Sequence, residues 1–539
     1  MKRRIFTGAA VAALLAATPA MAQDKSAGGK DRKVSISPYI ELSQVLTADV
    51  QSGDVVTYTS AAAGVDASVQ TRRVSVNISA RYEHQFAWDK NSGDSDIITG
   101  LANAQIRILP GLSLDAGALA TRTRNDIRGF APAFFGNDRA NVSNVYSGYV
   151  GPSFSTGDGP IFANGSYRFG YTKVTSPGPT GVAPGSPALD YFDDSKNHMA
   201  TASVGFKSGV FLPFGVTLSG GWTRDDMSQL SSRFEGLYGR GDIVLPLTRT
   251  VALEGGVGYE KITSSARDPL IDGLGNPVVD SRGRFVTDPA SPQRIAYKTD
   301  GIYWDVGVLW RPSPRTTLQA RVGRRYDSWS YTGSFSYAPS NGVGVQIGVY
   351  DSVETFGNQL QKAIRGLPQE FTQTRDLLAQ QFNGCTFGTT GGGASGACLN
   401  SVFQSVSTAT FRTRGVDAVV TATRGRSTLG IGAGYSTRKF YAPNSPGVVI
   451  NGVNDDSYYA QLFYTTSVGS NTSLSADLFA NYYDSGLAPG ILSLGATGSV
   501  SRSFGRLSTT ASVGAYTFSQ QGVNDQTTAQ ALLGARYQF

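Results

Sequence analysis

Apolar and polar residues alternate along most of this chain. From Arg73 to Trp88 the stretch RVSVNISARYEHQFAW sets Val74, Val76, Ile78, Ala80, Tyr82, His84, Phe86 and Trp88 on one face. Ser75, Asn77, Ser79, Arg81, Glu83 and Gln85 fall on the other. The run is far longer than the usual globular strand of about 5–6 residues. It suits a tilted membrane strand whose ends carry girdle aromatics. Leu112, Leu114, Ala116, Ala118 and Ala120 alternate in the same way with Ser113, Asp115, Gly117 and Thr121, and Tyr167, Phe169 and Tyr171 with Ser166, Arg168, Gly170 and Thr172. Ile302, Trp304, Val306, Val308 and Trp310 alternate with Tyr303, Asp305, Gly307 and Leu309. Leu318, Ala320 and Val322 alternate with Gln319, Arg321 and Gly323. At the far end Ala531, Leu533, Ala535, Tyr537 and Phe539 share a face, so the last strand is predicted to pair into a sheet up to its final residue.

The connections alternate too. Short turns are predicted at Leu109–Gly111, Thr156–Pro160, Pro213–Gly215, Arg311–Arg315, Arg424–Ser427, Gly469–Asn471 and Phe504–Arg506. Long segments fall between them, at Asn125–Asn141, Thr175–Asn197, Ser264–Thr299, Ser352–Thr410 and Ala442–Asp456. Tight turns on one side and extended loops on the other predict an all-β fold, a transmembrane antiparallel up-and-down β-barrel of about 22 strands, within a range of 18 to 22. Arg325–Asp351 is where a strand is most easily miscounted, because a turn at Pro339–Gly342 divides two short runs. Closure pairs the first strand, from about Val34, with the last.

Composition agrees with lipid contact. Charged residues make up 16% of the chain, against about 25% in soluble domains. Aromatic residues reach 11%. The amino terminus reads as a signal peptide, residues 1–22, with Lys2, Arg3 and Arg4, an apolar run from Ile5 and an Ala20-Met21-Ala22 cleavage site. Of the net charge of +7 those three residues supply three, which leaves about +4, too little for a nucleic-acid footprint. Residues 23–33 would be a short periplasmic segment, too small for a globular plug, and 34–539 a single barrel. Receptor-type active uptake is therefore not expected.

The segment 352–410 is the most individual part. It holds a helix-like stripe, Leu360, Ile364 and Leu367 before Pro368, and both cysteines. Cys385 and Cys398, in an exported protein and across a Gly-rich stretch, are expected to form a disulfide. Two readings stay open: the segment folds into or over the lumen, or it is an outside loop stapled against proteolysis. The stretches VYDSVETFGNQLQKAIRGLP, NGCTFGTTGGG and FQSVSTATFRTRGVDAVVTATRGRSTLGIGAGYSTRKFYAP lie within Val349–Pro443. They resemble the end region of a β-barrel porin family of Gram-negative bacteria, some members of which are associated with exopolysaccharide or exosortase systems. The ending on Tyr537 and Phe539 likewise resembles the signal read by outer-membrane barrel assembly machinery. The first resemblance implies an outer-membrane barrel and supplies no catalytic residues.

No enzymatic constellation is expected. His84 falls on the lipid face of its strand and His198 at the end of a long loop beside Asp193, Asp194 and Lys196, neither with metal-ligand spacing, so no metal and no cofactor are predicted. Transport remains. Candidate lumen-lining residues are Arg81, Glu83, Arg107, Asp115, Arg168, Asp305, Arg321, Arg325, Arg412 and Arg414. Arginine outnumbers carboxylate in that set, which implies either a positive lumen favouring anionic or sugar-like solutes or charges that pair across the wall. Two functions follow: a passive porin-like channel for small polar or saccharide solutes, or a non-conducting structural or export-partner barrel linked to exopolysaccharide secretion. The expected partners are outer-membrane lipid, the assembly machinery and, in the second case, polysaccharide export components.

Overall fold

The computed structural model describes residues 33–539, apart from 89–93, 127, 129–140, 158, 176–186, 340–341, 367–370, 374–384, 389–395, 404–405 and 523. The expected signal peptide, 1–22, and the expected periplasmic segment 23–33, except Lys33, lie outside the described residues. The strands run β1 (Lys33–Asp49), β2 (Val55–Gln70), β3 (Val74–Ala87), β4 (Ser95–Leu109), β5 (Leu112–Arg124), β6 (Val142–Ser155), β7 (Ile161–Thr175) and β8 (Asp194–Phe206). They continue as β9 (Gly215–Met227), β10 (Arg233–Pro246), β11 (Val251–Ala266), β12 (Arg294–Ser313), β13 (Thr316–Arg325), β14 (Ser328–Tyr337) and β15 (Val343–Glu354). After β15 come a helix, α1 (Phe356–Gly366), three short strands, β16 (Phe371–Gln373), β17 (Cys385–Gly388) and β18 (Gly396–Cys398), and a helical turn, α2 (Asn400–Phe403). The wall resumes with β19 (Thr410–Arg424), β20 (Ser427–Tyr441), β21 (Asn454–Val468), β22 (Thr472–Asp484), β23 (Ile491–Phe504), β24 (Leu507–Gln520) and β25 (Gln526–Gln538).

All strands except β16–β18 form one 22-stranded antiparallel sheet, closed by β1 pairing with β25 from Tyr39 opposite Gln538 to Asp49 opposite Thr528. The amide of Phe539 adds a bond to the carbonyl of Pro38. The strand number sits at the top of the expected range. At the seam Arg536 reaches across β1, stacks over Tyr39 and pairs with Asp66 of β2 at 2.5 Å. Closure satisfies backbone groups that hydrocarbon could not. Exposed side chains include Leu42, Leu46, Val257, Ile302, Trp304, Val306, Val513 and Leu533, all on outward strand faces. An apolar belt around a closed barrel has lipid as its natural solvent, which places the protein in an outer membrane.

Two details depart from the sequence reading. His198 belongs to β8, not to the preceding loop, because that strand begins at Asp194. The run Arg325–Asp351 holds two wall turns: Tyr326 and Asp327 close β13 onto β14 with φ of 54° and 56°, and the chain turns again between Tyr337 and Val343. β13 and β14 form a shorter hairpin than their neighbours, and β15 reaches well above it.

Candidate functional site in the lumen

A barrel of this strand number encloses more space than wall side chains can fill. The segment between β15 and β19 enters that space. Thr355 precedes α1 and donates its hydroxyl to Asp225 at the extracellular end of β9. From there α1 descends across the inner wall. Gly357 lies against Ser195 of β8, Gln361 against Gly170 of β7 and Ile364 against Gly117 of β5. A Cβ at position 170 would collide with the Gln361 amide, so glycine there sets how close the helix approaches. Phe356, Leu360 and Ile364, spaced four apart, form one buried stripe. They pack on Leu101, Leu119, Val145 and Val174, apolar residues on the inner wall, and on Leu399, Val402 and Phe403 from the same segment. Each such side chain contributes about 1.5–3 kcal/mol by burial. Of the two readings left open by the sequence, folding into the lumen describes the described residues of 352–410.

Cys385 and Cys398 are bonded and lie against Gly432 on the inner face of β20. α1 thus leans on β5–β9 while the stapled hairpin leans on the opposite wall. Cavities remain on both sides of the helix. One of about 360 Å³ is bounded by Tyr350, Glu354, Lys362, Asp417 and Val419. The other, about 190 Å³, lies below the helix end between Asn103, Gln105, Tyr149, Arg168 and Arg365.

The wall charges form ion pairs. Arg81 meets Glu41 at 2.8 Å and Glu83 at 2.9 Å, and Arg168 meets Asp115 at 2.5 Å. Arg240 and Arg321 share Asp242 and Asp305, and Arg321 also reaches Glu254 at 2.8 Å. Arg325 binds Glu260 at 2.6 Å and stacks over Tyr303. Arg107 stands exposed near the periplasmic end of β4. Arg412 and Arg414 correct the sequence expectation. They alternate with Thr413, Gly415 and Asp417 and share the outward face of Val416, so they do not line the lumen. Above the short β13–β14 hairpin they pair with Asp351 and bond Ser328.

Sequence reasoning overlooked Glu41, Arg240, Asp242, Glu254, Glu260, Arg438 and Asp455. Those carboxylates remove the apparent arginine excess. The deepest pair, Arg438 with Asp455 at 2.8 Å, is 1% exposed on both sides, takes a hydrogen bond from Tyr483 and sits over the rings of Phe411 and Phe440. The histidines face outward. His84 contacts Asp96 at 2.8 Å, and His198 bonds Tyr167 and lies beside Phe169 and Trp222 in an aromatic girdle.

Extracellular loops meet at Asp190. Its carboxylate accepts hydrogen bonds from the amide of Phe285 at 2.9 Å, the Gln229 side chain at 2.6 Å and the Thr408 hydroxyl at 3.0 Å. Four connections are thereby tied together. Burial outweighs these bonds and nearby Arg284 and pushes the carboxyl up to about 7. An exposed aspartate releases its proton near about 3.9. The packed loops therefore bind a proton that the opened loops do not, and lose stability as pH rises through that window, keeping it in full below. Amide exchange at Phe285, corrected for its intrinsic rate, is expected to be slower at pH 5 than at pH 8. In Asp190→Asn the difference should vanish; its persistence would place the titrating group elsewhere.

No family model and no curated protein matches this sequence. Among solved structures the chain resembles the alcaligin outer-membrane receptor FauA of Bordetella pertussis, with 9% identity, a TM-score of 0.41, and 93% of this chain and 76% of that chain covered. It also resembles the open form of the ferric-catecholate import receptor Fiu of E. coli K12, at 10% identity and a TM-score of 0.44, over 95% of this chain and 82% of that chain. The siderophore receptor PiuA of Acinetobacter baumannii gives 10% identity and 0.42 over 93% and 82%. Nothing about ligand or mechanism carries over at this distance.

Proposed function

We propose that the protein is an outer-membrane channel for small polar or saccharide solutes, whose pathway runs past the in-folded segment between β15 and β19. The supporting observation is the seating of α1 within the lumen between two cavities of about 190 and 360 Å³, both bordered by charged side chains. Spaces of that size hold solutes of about one sugar unit and exclude folded macromolecules. Because the wall arginines are matched by carboxylates, broad charge selectivity is not part of this reading.

The test is single-channel recording of the refolded chain from Gln23 to Phe539, with and without reductant. Small discrete steps are expected, with a reversal potential close to zero in a salt gradient, and a change on reduction as the Cys385–Cys398 hairpin loosens. Strong anion preference would contradict the paired wall. A folded barrel that stays silent in both states would remove the channel reading. That outcome would favour a non-conducting surface barrel working with polysaccharide export components, a reading supported by the extracellular loops gathered at Asp190.

A further inference from the structure

We propose that the cavity below the end of α1 is a binding site for a single sugar acid, a hydroxylated monocarboxylate about the size of one hexuronate. The proposal rests on the channel reading only for how the solute arrives. Two guanidinium groups border the cavity. Arg168 is 8% exposed. Its terminal nitrogens are engaged by Asp115, Ser153 and the carbonyls of Pro152 and Tyr167. Its Nε, however, is buried without a hydrogen-bond partner. Arg365, in the last turn of α1, is exposed and has no carboxylate partner among the described residues; its Nη1 approaches the Met199 thioether at 3.7 Å. Two cations against Asp115 leave one positive charge facing the space, which calls for a monoanion. The adjoining helix C-terminus carries partial negative charge, so it holds Arg365 and disfavours a dianion such as phosphate.

The remaining lining distinguishes a sugar acid from a simple anion. Ser75, Asn103, Gln105 and Tyr149 present hydroxyl and amide groups suited to a ring of hydroxyls. Ile364 offers an apolar side for the C–H face of the ring. The volume of about 190 Å³ is on the order of six waters' share of liquid, room for one sugar ring and not for a chain. Arginine, with its planar fork, matches carboxylate geometry better than lysine would.

The test uses the full refolded protein in detergent micelles, with galacturonate, galactose and inorganic phosphate as probes in calorimetric titration. Galacturonate is expected to bind at least about tenfold more tightly than galactose, a difference of about 1.4 kcal/mol. Arg365→Gln should abolish that preference while leaving the weak galactose binding. Arg365→Lys should retain part of it. Arg365 lies at a helix end outside the wall, so these variants keep the barrel, which a heat-modifiable gel band confirms. Equal binding of acid and neutral sugar, or an unchanged ratio in Arg365→Gln, would overturn the site. Phosphate binding as tightly as galacturonate would reduce it to a general anion site and overturn the sugar-acid assignment. Binding in micelles without any bilayer current would sink the channel reading and leave the site standing. Current without galacturonate binding would do the reverse.

Discussion

Replacing Leu360 with aspartate is expected to raise single-channel conductance severalfold while leaving the barrel folded. Leu360 is fully buried at the centre of the stripe that holds α1 to the wall, among Leu119, Val145 and Phe356. A carboxylate there would lose its water with no partner in reach, a cost of several kcal/mol for an unpaired charge. The helix has an easier alternative, to leave the wall and extend into the water-filled lumen. What it gives up is its apolar contact, about 1.5–3 kcal/mol for each of Phe356, Leu360 and Ile364. The sheet is untouched, because β15 pairs with β19 along Val343–Glu354 whether or not the segment between them is seated. Leu360→Met, which conserves volume, should change little. A folded Leu360→Asp barrel with wild-type conductance would show that α1 is not the barrier.

Arg438→Ala is expected to destabilise the barrel by about 3–5 kcal/mol, the usual cost of leaving one member of a buried pair uncompensated. Asp455 would remain at 1% exposure with only the Tyr483 hydroxyl for company. The rings of Phe411 and Phe440 would lose the guanidinium that stacks on them. Urea unfolding followed by the shift of the heat-modifiable band measures the loss. Replacing both partners with apolar residues, Arg438→Met with Asp455→Leu, should recover most of it, since an apolar pair of similar volume carries no desolvation cost. If the single variant costs no more than an exposed ion pair, less than about 1 kcal/mol, then water reaches Asp455 in solution and the pair is less enclosed than its geometry indicates.

The wall was legible in the sequence because lipid enforces period two from outside. Val74–Trp88, Ile302–Trp310 and Ala531–Phe539 each announced an outward face, and the alternation of short and long connections set the strand number. The interior was less legible, since inward positions answer to whatever fills the lumen. Leu101, Leu119, Val145, Phe411 and Phe440 fall on the polar faces of their strands, and these apolar residues on the wrong side were the signal that something packs within. Arg412 and Arg414 show that charge on a strand does not by itself mean lumen. Near the extracellular end of β19 the outward face has left the hydrocarbon and tolerates arginine. His198 lies in β8 because that strand starts a few residues earlier than alternation alone indicates, and strand ends are the weakest point of any pattern. The convergence of loops at Asp190 depends on contacts between distant segments, which no local pattern encodes.

The segment that fills the lumen begins and ends on neighbouring, hydrogen-bonded strands. Its two anchor points are therefore brought together by the wall itself, so lengthening or shortening the insert changes closure entropy only slowly, by about 0.6 kcal/mol per doubling of length. In evolutionary terms the interior is a cartridge. One frame of paired strands can accept inserts of different length and chemistry while its lipid face, its seam and its strand register stay as they are.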